Sequence, residues 1–312
     1  MYLGIDTSNY TTSVCLVNDQ KEIFQEKKIL QVKSGEKGLR QSDAVFQHTV
    51  NLPELIRKLQ IETGTQFNLK TIAASNKPRN VDGSYMPCFL TGVNTAYAVS
   101  AFTGATYYET SHQIGHILSV LFSENLLQLI NEPFVALHLS GGTTEVLLVE
   151  PDNENILSAK IIAKSLDLKA GQAIDRTGVL LGIDFPCGAE LDKLSLESTQ
   201  NYRHKPSVKG MDVSLSGVEN KATELFKSGA PKQDIAKFVL TYIAESVLAM
   251  LDNVFSEYPI MPIVFSGGVS SNSILRNTVK SKYNAFFANP QFSCDNALGV
   301  AVYGYLKDKF NE

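Results

Sequence analysis

The chain carries one strand–turn–strand pattern twice, and this repetition limits the folds that it can adopt. The first copy runs through residues 2–17 and the second through residues 134–149. In each copy an apolar segment leads into a turn of small polar residues, and a second apolar segment follows. The two turns align with an offset of 132 positions, as between Thr11 and Thr143. Repeats of solenoid proteins are much shorter, so the pattern predicts a duplicated domain.

Strands and helices alternate along the rest of the 312 residues. Helical or strand-like spacing of apolar residues identifies each segment. The predicted helices are 48–59, 92–101, 166–181 and 235–255, and the predicted buried strands are 72–75 and 262–265. Such alternation is typical of α/β layers, and a chain of this length has room for two domains.

The composition excludes several classes of protein. The formal net charge of −4 does not suit a protein that wraps nucleic acid by bulk charge. The four cysteines include no Cys-x-x-Cys pair, which disfavours a disulfide framework and a zinc–thiolate site. We find no signal-peptide pattern at the amino terminus and expect no membrane-spanning segment. The sequence therefore predicts a cytoplasmic protein with no membrane partner. A locally basic stretch, residues 202–237, is interpreted as a solvated surface.

Two histidines stand four positions apart, at His112 and His116. On a helix this spacing puts both imidazoles on one face, close enough to bind a single metal ion. Asp295 precedes a final apolar helix and is the candidate third ligand, because two histidines and one carboxylate leave coordination positions open for substrate. The alternative is that the histidines pack at a helix start and that Asp295 only caps a helix.

Three strand-to-turn junctions have the composition needed to contact phosphate. They are residues 6–12, 140–144 and 266–272. Glycine lets the backbone approach an anion, while hydroxyls and free N–H groups point toward it. A single Gly-Gly is more often only a tight turn. Asp175, which the sequence suggests is at a helix start, can accept a hydrogen bond from a ribose hydroxyl or merely cap that helix.

Taken together, the motifs resemble the TsaD-like family, the catalytic subunit of the tRNA threonylcarbamoyladenosine synthase, whose members were once called O-sialoglycoprotein endopeptidases. The resemblance spans nearly the whole chain, with eight short motifs in the expected order. They are Gly4–Ser8, the pair His112 and His116, Leu139–Glu145, Gly171–Asp175, Phe185–Gly188, Asp212–Gly217, Ser266–Asn272 and Cys294–Asn296.

The resemblance implies an α/β structure of the actin-like ATPase (ASKHA) type, with two duplicated RNase H-like lobes around a central nucleotide cleft. We expect an N-terminal lobe over residues 1–110, with the C-terminal helix 296–312 packing back on it. The C-terminal lobe, residues 111–295, is expected to carry the metal and nucleotide site.

The resemblance also implies ligands and partners. His112, His116 and Asp295 match the family's metal ligands, and the metal is usually iron or zinc. The nucleotide, ATP or threonylcarbamoyl-AMP, is expected at His138, Leu139, Ser140, Gly141, Gly142, Asp175, Gly188, Asp192 and Asn272. The implied activity is transfer of the threonylcarbamoyl group from that adenylate to N6 of an adenosine in tRNA. The implied partners are tRNA, a threonylcarbamoyl-adenylate synthase, and either a TsaB-like dimerisation partner or a second copy of the chain. No general base is identified.

Several loops depart from the family pattern. Residues Tyr10 and Thr11 stand where the first loop of the family usually has two acids. Ile114 replaces the usual Glu of the histidine motif, and Thr143 replaces the histidine that usually follows Ser-Gly-Gly. The other changes are Gln172 for Glu, and Lys77–Arg79 for a Gly-Pro-Gly turn. These changes keep open a second hypothesis, a non-catalytic or retargeted paralogue that binds nucleotide and metal.

Two other functions fit the sequence less well. A zinc metalloprotease of the His-Glu-x-x-His type uses the Glu as base, and position 113 is Gln. A sugar or acid kinase of the same fold brings Mg²⁺ with its nucleotide and needs no histidine ligands.

Overall fold

The computed structural model describes residues 1–8, 10–32, 39–64, 68–289 and 297–311. Its β-strands are β1 (Tyr2–Asp6), β2 (Thr11–Val17), β3 (Ile23–Ile29), β4 (Thr71–Lys77), β5 (Thr106–Ser111), β6 (Phe134–Leu139), β7 (Thr144–Asp152), β8 (Ile156–Lys164), β9 (Ser207–Lys209), β10 (Asp212–Ser214), β11 (Ile263–Ser266) and β12 (Ala285–Phe287). Its α-helices are α1 (Gln41–Thr63), α2 (Phe89–Thr103), α3 (His112–Ser123), α4 (Ala170–Leu180), α5 (Gly188–Ser195), α6 (Gly217–Lys227), α7 (Lys232–Glu257), α8 (Ser273–Lys280) and α9 (Ala297–Asn311).

The chain divides into two compact units. Unit 1 comprises Met1–Asn131, Glu150–Ser158 and Cys294–Glu312, and unit 2 comprises Glu132–Val149 and Ala159–Ser293. The sequence-based division assigned α3 to the second lobe, whereas the packing groups α3 with unit 1. The reason is that α3 lies against α9, which itself packs on β1.

The sheet of unit 1 has the strand order β3-β2-β1-β4-β5. The first three strands pair antiparallel, with Asp6 opposite Ser13 at the end of β1. Strands β4 and β5 then continue the sheet in parallel. Aliphatic side chains from the sheet and from α1 form the core, including Ile5, Leu55 and Ile72.

The sheet of unit 2 has the strand order β12-β11-β6-β7-β8. Here β6 and β7 form the antiparallel hairpin, and β11 and β12 add in parallel. Both sheets therefore have the same order. The first strand of each sheet, β1 or β6, lies in the middle. The next two strands of the chain lie on one side of it, and two later parallel strands lie on the other. This shared order confirms the duplication that the sequence predicted.

Most of the predicted helices and strands are present, but two helix starts are clearly displaced. Helix α1 begins at Gln41, not at His48. Helix α4 begins at Ala170, not at Leu166. The preceding turn is held by the carboxylate of Asp167, which accepts hydrogen bonds from the backbone N–H groups of Leu168 at 2.7 Å and Leu215 at 2.7 Å. A residue whose side chain bonds to nearby backbone N–H groups stabilises a turn at the expense of a helix.

Helix α7 corrects the expectation that no segment approaches membrane-spanning length. Its 26 residues are long and apolar enough to cross a bilayer. Over half of its most apolar window is buried inside the protein, however, and residues such as Val239, Ile243 and Val247 belong to the core of unit 2. A buried core helix passes the same test of length and composition.

Candidate functional site

The histidine pair lies at the start of α3, as the sequence predicted. Ser111 caps this helix, because its hydroxyl oxygen accepts a hydrogen bond from the N–H of Ile114 at 3.3 Å. His112 is the first helical residue, and His116 follows one turn later. Their ring centroids are 4.7 Å apart, with the ring planes at 71°. Two imidazoles at this distance on one helix face are suited to binding one metal ion.

A buried carboxylate supports the first of these histidines. Both oxygens of Asp6, at the end of β1, lie 3.2 Å from Nδ1 of His112. The hydroxyl of Ser75, on the adjacent strand β4, also donates a hydrogen bond to Asp6. Burial alone raises the pKa of Asp6, but the neighbouring imidazole and the hydrogen bonds from Ser75 and Ser8 outweigh it and lower the pKa. Asp6 is therefore an ionised, buried partner of His112.

Both imidazoles face a cavity within unit 1. The cavity has a volume of about 270 Å³. The residues found along its wall are Ser8, Tyr10, Thr11, Pro78, Met86, Phe89, His112 and His116. The backbone carbonyl of Pro78 accepts a hydrogen bond from the N–H of Gln113 at 3.0 Å. This bond holds residues 77–79, which differ from the family's usual Gly-Pro-Gly turn, against α3. The cavity thus places apolar and hydroxyl side chains beside the two candidate ligands.

The predicted third ligand, Asp295, lies outside the residues that the structure describes. Within the described ranges, no group of three or more His, Cys, Asp or Glu side chains is arranged to hold a metal ion. The donor set of His112 and His116 nevertheless fits a metal, because ligating histidines commonly hold their second ring nitrogen against a carboxylate, as His112 does against Asp6.

Another buried histidine lies beside the loop of residues 6–12, and the sequence did not indicate it. His48, on α1, is 0% exposed, and its Nδ1 lies 2.8 Å from the hydroxyl of Thr12. The amide of Asn51 donates to the same hydroxyl at 3.3 Å. Burial lowers the pKa of His48 to about 4, although Asp6 and the backbone of Ser8 act in the opposite direction. The imidazole is therefore neutral in the folded protein at neutral pH.

We expect His48 to make stability depend on pH. The folded-state pKa of about 4 lies below the ordinary value of 6.5, so its stabilising contribution is complete above pH 6.5 and is lost as the pH falls toward 4. In the variant His48→Gln this loss is absent. Relative to that variant, the wild-type free energy of unfolding should fall by roughly 2–3 kcal/mol between pH 7 and pH 4.5. Urea titrations at several pH values measure this difference, and a difference that does not change with pH contradicts it.

In unit 2, the second glycine turn lies against the start of α4. The turn closes through hydrogen bonds from the N–H of Ser140 to the carbonyl of Thr143 at 2.8 Å, and from the N–H of Thr143 to the hydroxyl of Ser140 at 3.1 Å. A Cβ atom at Gly171 would lie 2.6 Å from the backbone nitrogen of Gly141. Glycine at position 171 therefore allows the exposed Gly141–Gly142 backbone to lie directly beside a helix N-terminus, an arrangement that suits an anion.

Asp175 is not at a helix start, which corrects the sequence interpretation. It is the sixth residue of α4, and its carboxylate accepts a hydrogen bond from the N–H of Cys187 at 3.1 Å. That bond ties α4 to the residue that immediately precedes Gly188 and α5. Burial raises the pKa of Asp175, and the bond from Cys187 only partly offsets this. The helix-cap alternative is excluded for this residue.

Asp192 and Asn272, predicted separately, are in direct contact. The carboxylate of Asp192 accepts hydrogen bonds from the side-chain amide of Asn272 at 2.8 Å and from the hydroxyl of Ser273 at 2.9 Å. Asn272 also caps α8 by accepting from the N–H of Leu275 at 2.9 Å. The pair fixes α5 to α8.

The ends of β6 and β11 bring further predicted residues together. Nδ1 of His138, on β6, lies 3.0 Å from the hydroxyl of Ser266, on β11. The next residue, Gly267, has a φ of 88°, and a Cβ atom there would lie 2.8 Å from the carbonyl carbon of Leu139. Only glycine fits this backbone conformation in so close an approach. The nucleotide-binding role of these residues stays a prediction.

The comparisons with known proteins agree with the sequence resemblance. The model of the family described as "TsaD: tRNA N6-adenosine threonylcarbamoyltransferase" matches residues 22–302. Proteins named tRNA N6-adenosine threonylcarbamoyltransferase from Thermosipho africanus (strain TCF52B) and Campylobacter fetus subsp. fetus (strain 82-40) are 28% and 30% identical to this chain. The alignments cover 97% and 99% of the chain, and 93% and 92% of those relatives.

Solved structures confirm the predicted actin-like ATPase fold. The activator of the 2-hydroxyisocaproyl-CoA dehydratase from Clostridium difficile, with bound ADPNP, matches with a TM-score of 0.55 and 17% identity, over 100% of this chain and 97% of that one. A ROK family glucokinase from Streptomyces griseus, in complex with glucose and AMPPNP, matches with a TM-score of 0.52 and 12% identity, over 98% of both chains. At such identities the likeness concerns the fold alone.

Proposed function

The chain belongs to the TsaD family of tRNA N6-adenosine threonylcarbamoyltransferases, and on that premise we propose that it transfers a threonylcarbamoyl group to N6 of an adenosine in tRNA. The donor is threonylcarbamoyl-AMP. The N6 nitrogen bonds to the carbamoyl carbon, the bond from that carbon to the phosphate oxygen breaks so that AMP leaves, and N6 releases one proton. The observation that carries this proposal is the histidine pair. These two imidazoles, of the kind that bind metal ions, face a cavity, and a buried carboxylate contacts one of them.

One divalent metal ion, iron or zinc, would be held by His112, His116 and Asp295. When bound, it would supply Lewis-acid activation of the group to be transferred. Support for Asp295 comes from its position in the sequence, two residues before α9, and from the close approach of α9 to α3, where Gly299 lies beside Gly115.

The cavity walls keep the transferred group near the histidines. Tyr10, Met86 and Phe89 offer apolar surface that displaces water, and the hydroxyls of Ser8 and Thr11 offer hydrogen bonds.

The nucleotide, ATP or threonylcarbamoyl-AMP, binds in unit 2. Support comes from the exposed glycine turn at Gly141–Gly142, set against the start of α4, and from the contact between Asp192 and Asn272. Two proteins of the same fold are named with bound ADPNP or AMPPNP. Asp175 and Gly188 complete the predicted set.

The protein acts with partners. A threonylcarbamoyl-adenylate synthase supplies the donor, and either a TsaB-like protein or a second copy of the chain covers part of unit 1. Exposed apolar side chains on α1 and α2 support the second point: Phe46 and Val50 on α1, and Tyr97 and Phe102 on α2, of which Phe102 is 92% exposed. Large exposed apolar side chains of this kind suit contact with another protein.

The alternative is a retargeted or non-catalytic paralogue. One observation favours it: Tyr10 and Thr11, which replace the usual acids of the first loop, both line the cavity next to the histidines. A changed wall implies a changed acceptor or acyl group, because a pocket selects its substrate through its lining.

Expression in cells that lack the endogenous family enzyme tests the proposal. We expect the wild-type chain to restore threonylcarbamoyladenosine in tRNA, measured by mass analysis of digested nucleosides. The variant His112→Ala should restore none, and Glu109→Gln, a surface change on β5, should restore as much as wild type. Stable expression of the wild-type chain without restored modification contradicts the proposal and favours the paralogue.

A further inference from the structure

Asp6 occupies a position behind the imidazole of His112, away from the cavity. Its side chain is 2% exposed, whereas that of His112 is 26% exposed. Of Asp6 and His112, His112 is therefore the more exposed, and it is the one that lines the cavity. The two groups come from distant parts of the chain, since Asp6 ends β1 and His112 begins α3.

The oxygens of Asp6 are already engaged. Each lies 3.2 Å from Nδ1 of His112, and one also accepts from the hydroxyl of Ser75. No three-ligand group appears within the part of the chain that the structure describes. A carboxylate held in this way is unsuited to bind a metal directly. It is suited to set the position and the tautomer of the histidine.

An ionised carboxylate next to Nδ1 selects one tautomer of a neutral imidazole. A carboxylate can only accept hydrogen bonds, so Nδ1 must carry the proton. The lone pair then resides on Nε2, the nitrogen that a metal would bind.

The surroundings also restrict how the ring can turn. The ring of Phe89 lies edge-on, with centroids 6.1 Å apart, and the ring of His116 lies 4.7 Å away at 71°. With Nδ1 fixed by Asp6 and two rings beside it, the imidazole has one favoured orientation. Partners that fix a ligating histidine in this way commonly contribute 10–100-fold, roughly, to metal affinity.

We propose that Asp6 is a positioning residue that fixes the tautomer and the ring orientation of His112 for metal binding. Ser75 in turn holds Asp6 in place. This assignment rests on the proposed metal site. It goes beyond that proposal by naming the residue that orients His112 before a metal binds.

Nitrogen NMR of the metal-free protein tests the tautomer directly. With ¹⁵N-labelled histidine, wild-type His112 should show a protonated Nδ1 and an unprotonated Nε2; the signal is assigned by its loss in His112→Ala. Asp6→Asn keeps an oxygen acceptor and should keep this tautomer. Asp6→Ala removes the acceptor and should shift the proton largely to Nε2. Glu109→Gln removes one carboxylate charge from the same sheet and should change nothing. A side chain with a merely structural role would lower thermal stability without moving the proton.

Titration with Zn²⁺ tests the consequence for binding. We expect Asp6→Ala to weaken affinity by about 10–100-fold and Asp6→Asn by less, with Glu109→Gln equal to wild type. Circular dichroism of each variant verifies folding. Wild-type affinity and tautomer in folded Asp6→Ala overturn the assignment of Asp6, provided that His112→Ala has lost the metal. If His112→Ala also binds Zn²⁺ like wild type, the proposed metal site itself is wrong, and the assignment of Asp6 falls with it.

Discussion

Replacement of either histidine of α3 by alanine is expected to abolish metal binding and, with it, group transfer. Both imidazoles face the same cavity, and their ring centroids are 4.7 Å apart. Loss of one leaves too few ligands to hold the ion. We expect metal affinity to fall by at least about 100-fold in His112→Ala and in His116→Ala, more than for loss of a supporting carboxylate.

Elemental analysis of the purified variants and Zn²⁺ titration of the metal-free proteins measure this effect. Gln113→Ala is the matched control, because Gln113 lies between the two histidines on the same helix and does not line the cavity. It should bind metal as wild type does. Undiminished affinity in both histidine variants contradicts the metal site, even if the proteins have lost activity for another reason.

Replacement of Gly299 by alanine should cause the largest loss of stability among the glycines of α9. A Cβ atom at position 299 would lie 2.6 Å from the carbonyl carbon of Gly115 and 2.7 Å from the amide nitrogen of Ser119. All the nearest atoms belong to the backbone of α3, so no side chain can move aside. The two helices must separate, at a cost of roughly 3 kcal/mol.

Thermal unfolding checks this expectation. For a protein of this size we expect Tm to fall by about 4–6 °C. Gly188→Ala is the control, because its Cβ would have no atom nearer than 4.0 Å, the methyl Cγ2 of Ile174; its Tm should stay within about 2 °C of wild type. A Gly299→Ala protein with wild-type Tm shows that α3 and α9 do not approach as closely as described. Since His116 directly follows Gly115, the same variant should also weaken metal binding.

Much of the fold was predictable because it depends on local patterns. Apolar runs with small polar turns gave β1, β2, β6 and β7, and helical periodicity gave α1 and α7. The duplication followed from aligning Thr11 with Thr143. The start of α4 was wrong because Asp167 bonds to the backbone of residues 215–216, far along the chain. Such a contact has no local signal.

The candidate site was predictable where one short motif carries it. The spacing of His112 and His116 indicated one helix face, and both residues line the same cavity. The support from Asp6 was not predictable, since it joins residues 106 positions apart. In the sequence, Asp6 belongs to a loop with the composition of a phosphate-binding turn. Only the folded sheet and α3 together bring its carboxylate to the imidazole. His48 was missed for the same reason, because its partner Thr12 is 36 positions away.

We propose that this chain transfers a threonylcarbamoyl group to tRNA in a metal-dependent reaction. The most direct measurement is mass analysis of tRNA nucleosides after incubation of the purified protein with tRNA, threonine, bicarbonate, ATP and a threonylcarbamoyl-adenylate synthase. We predict threonylcarbamoyladenosine, lost on chelation and restored by added metal. Unmodified adenosine throughout, in a mixture where an established family enzyme forms the product, would contradict the claim.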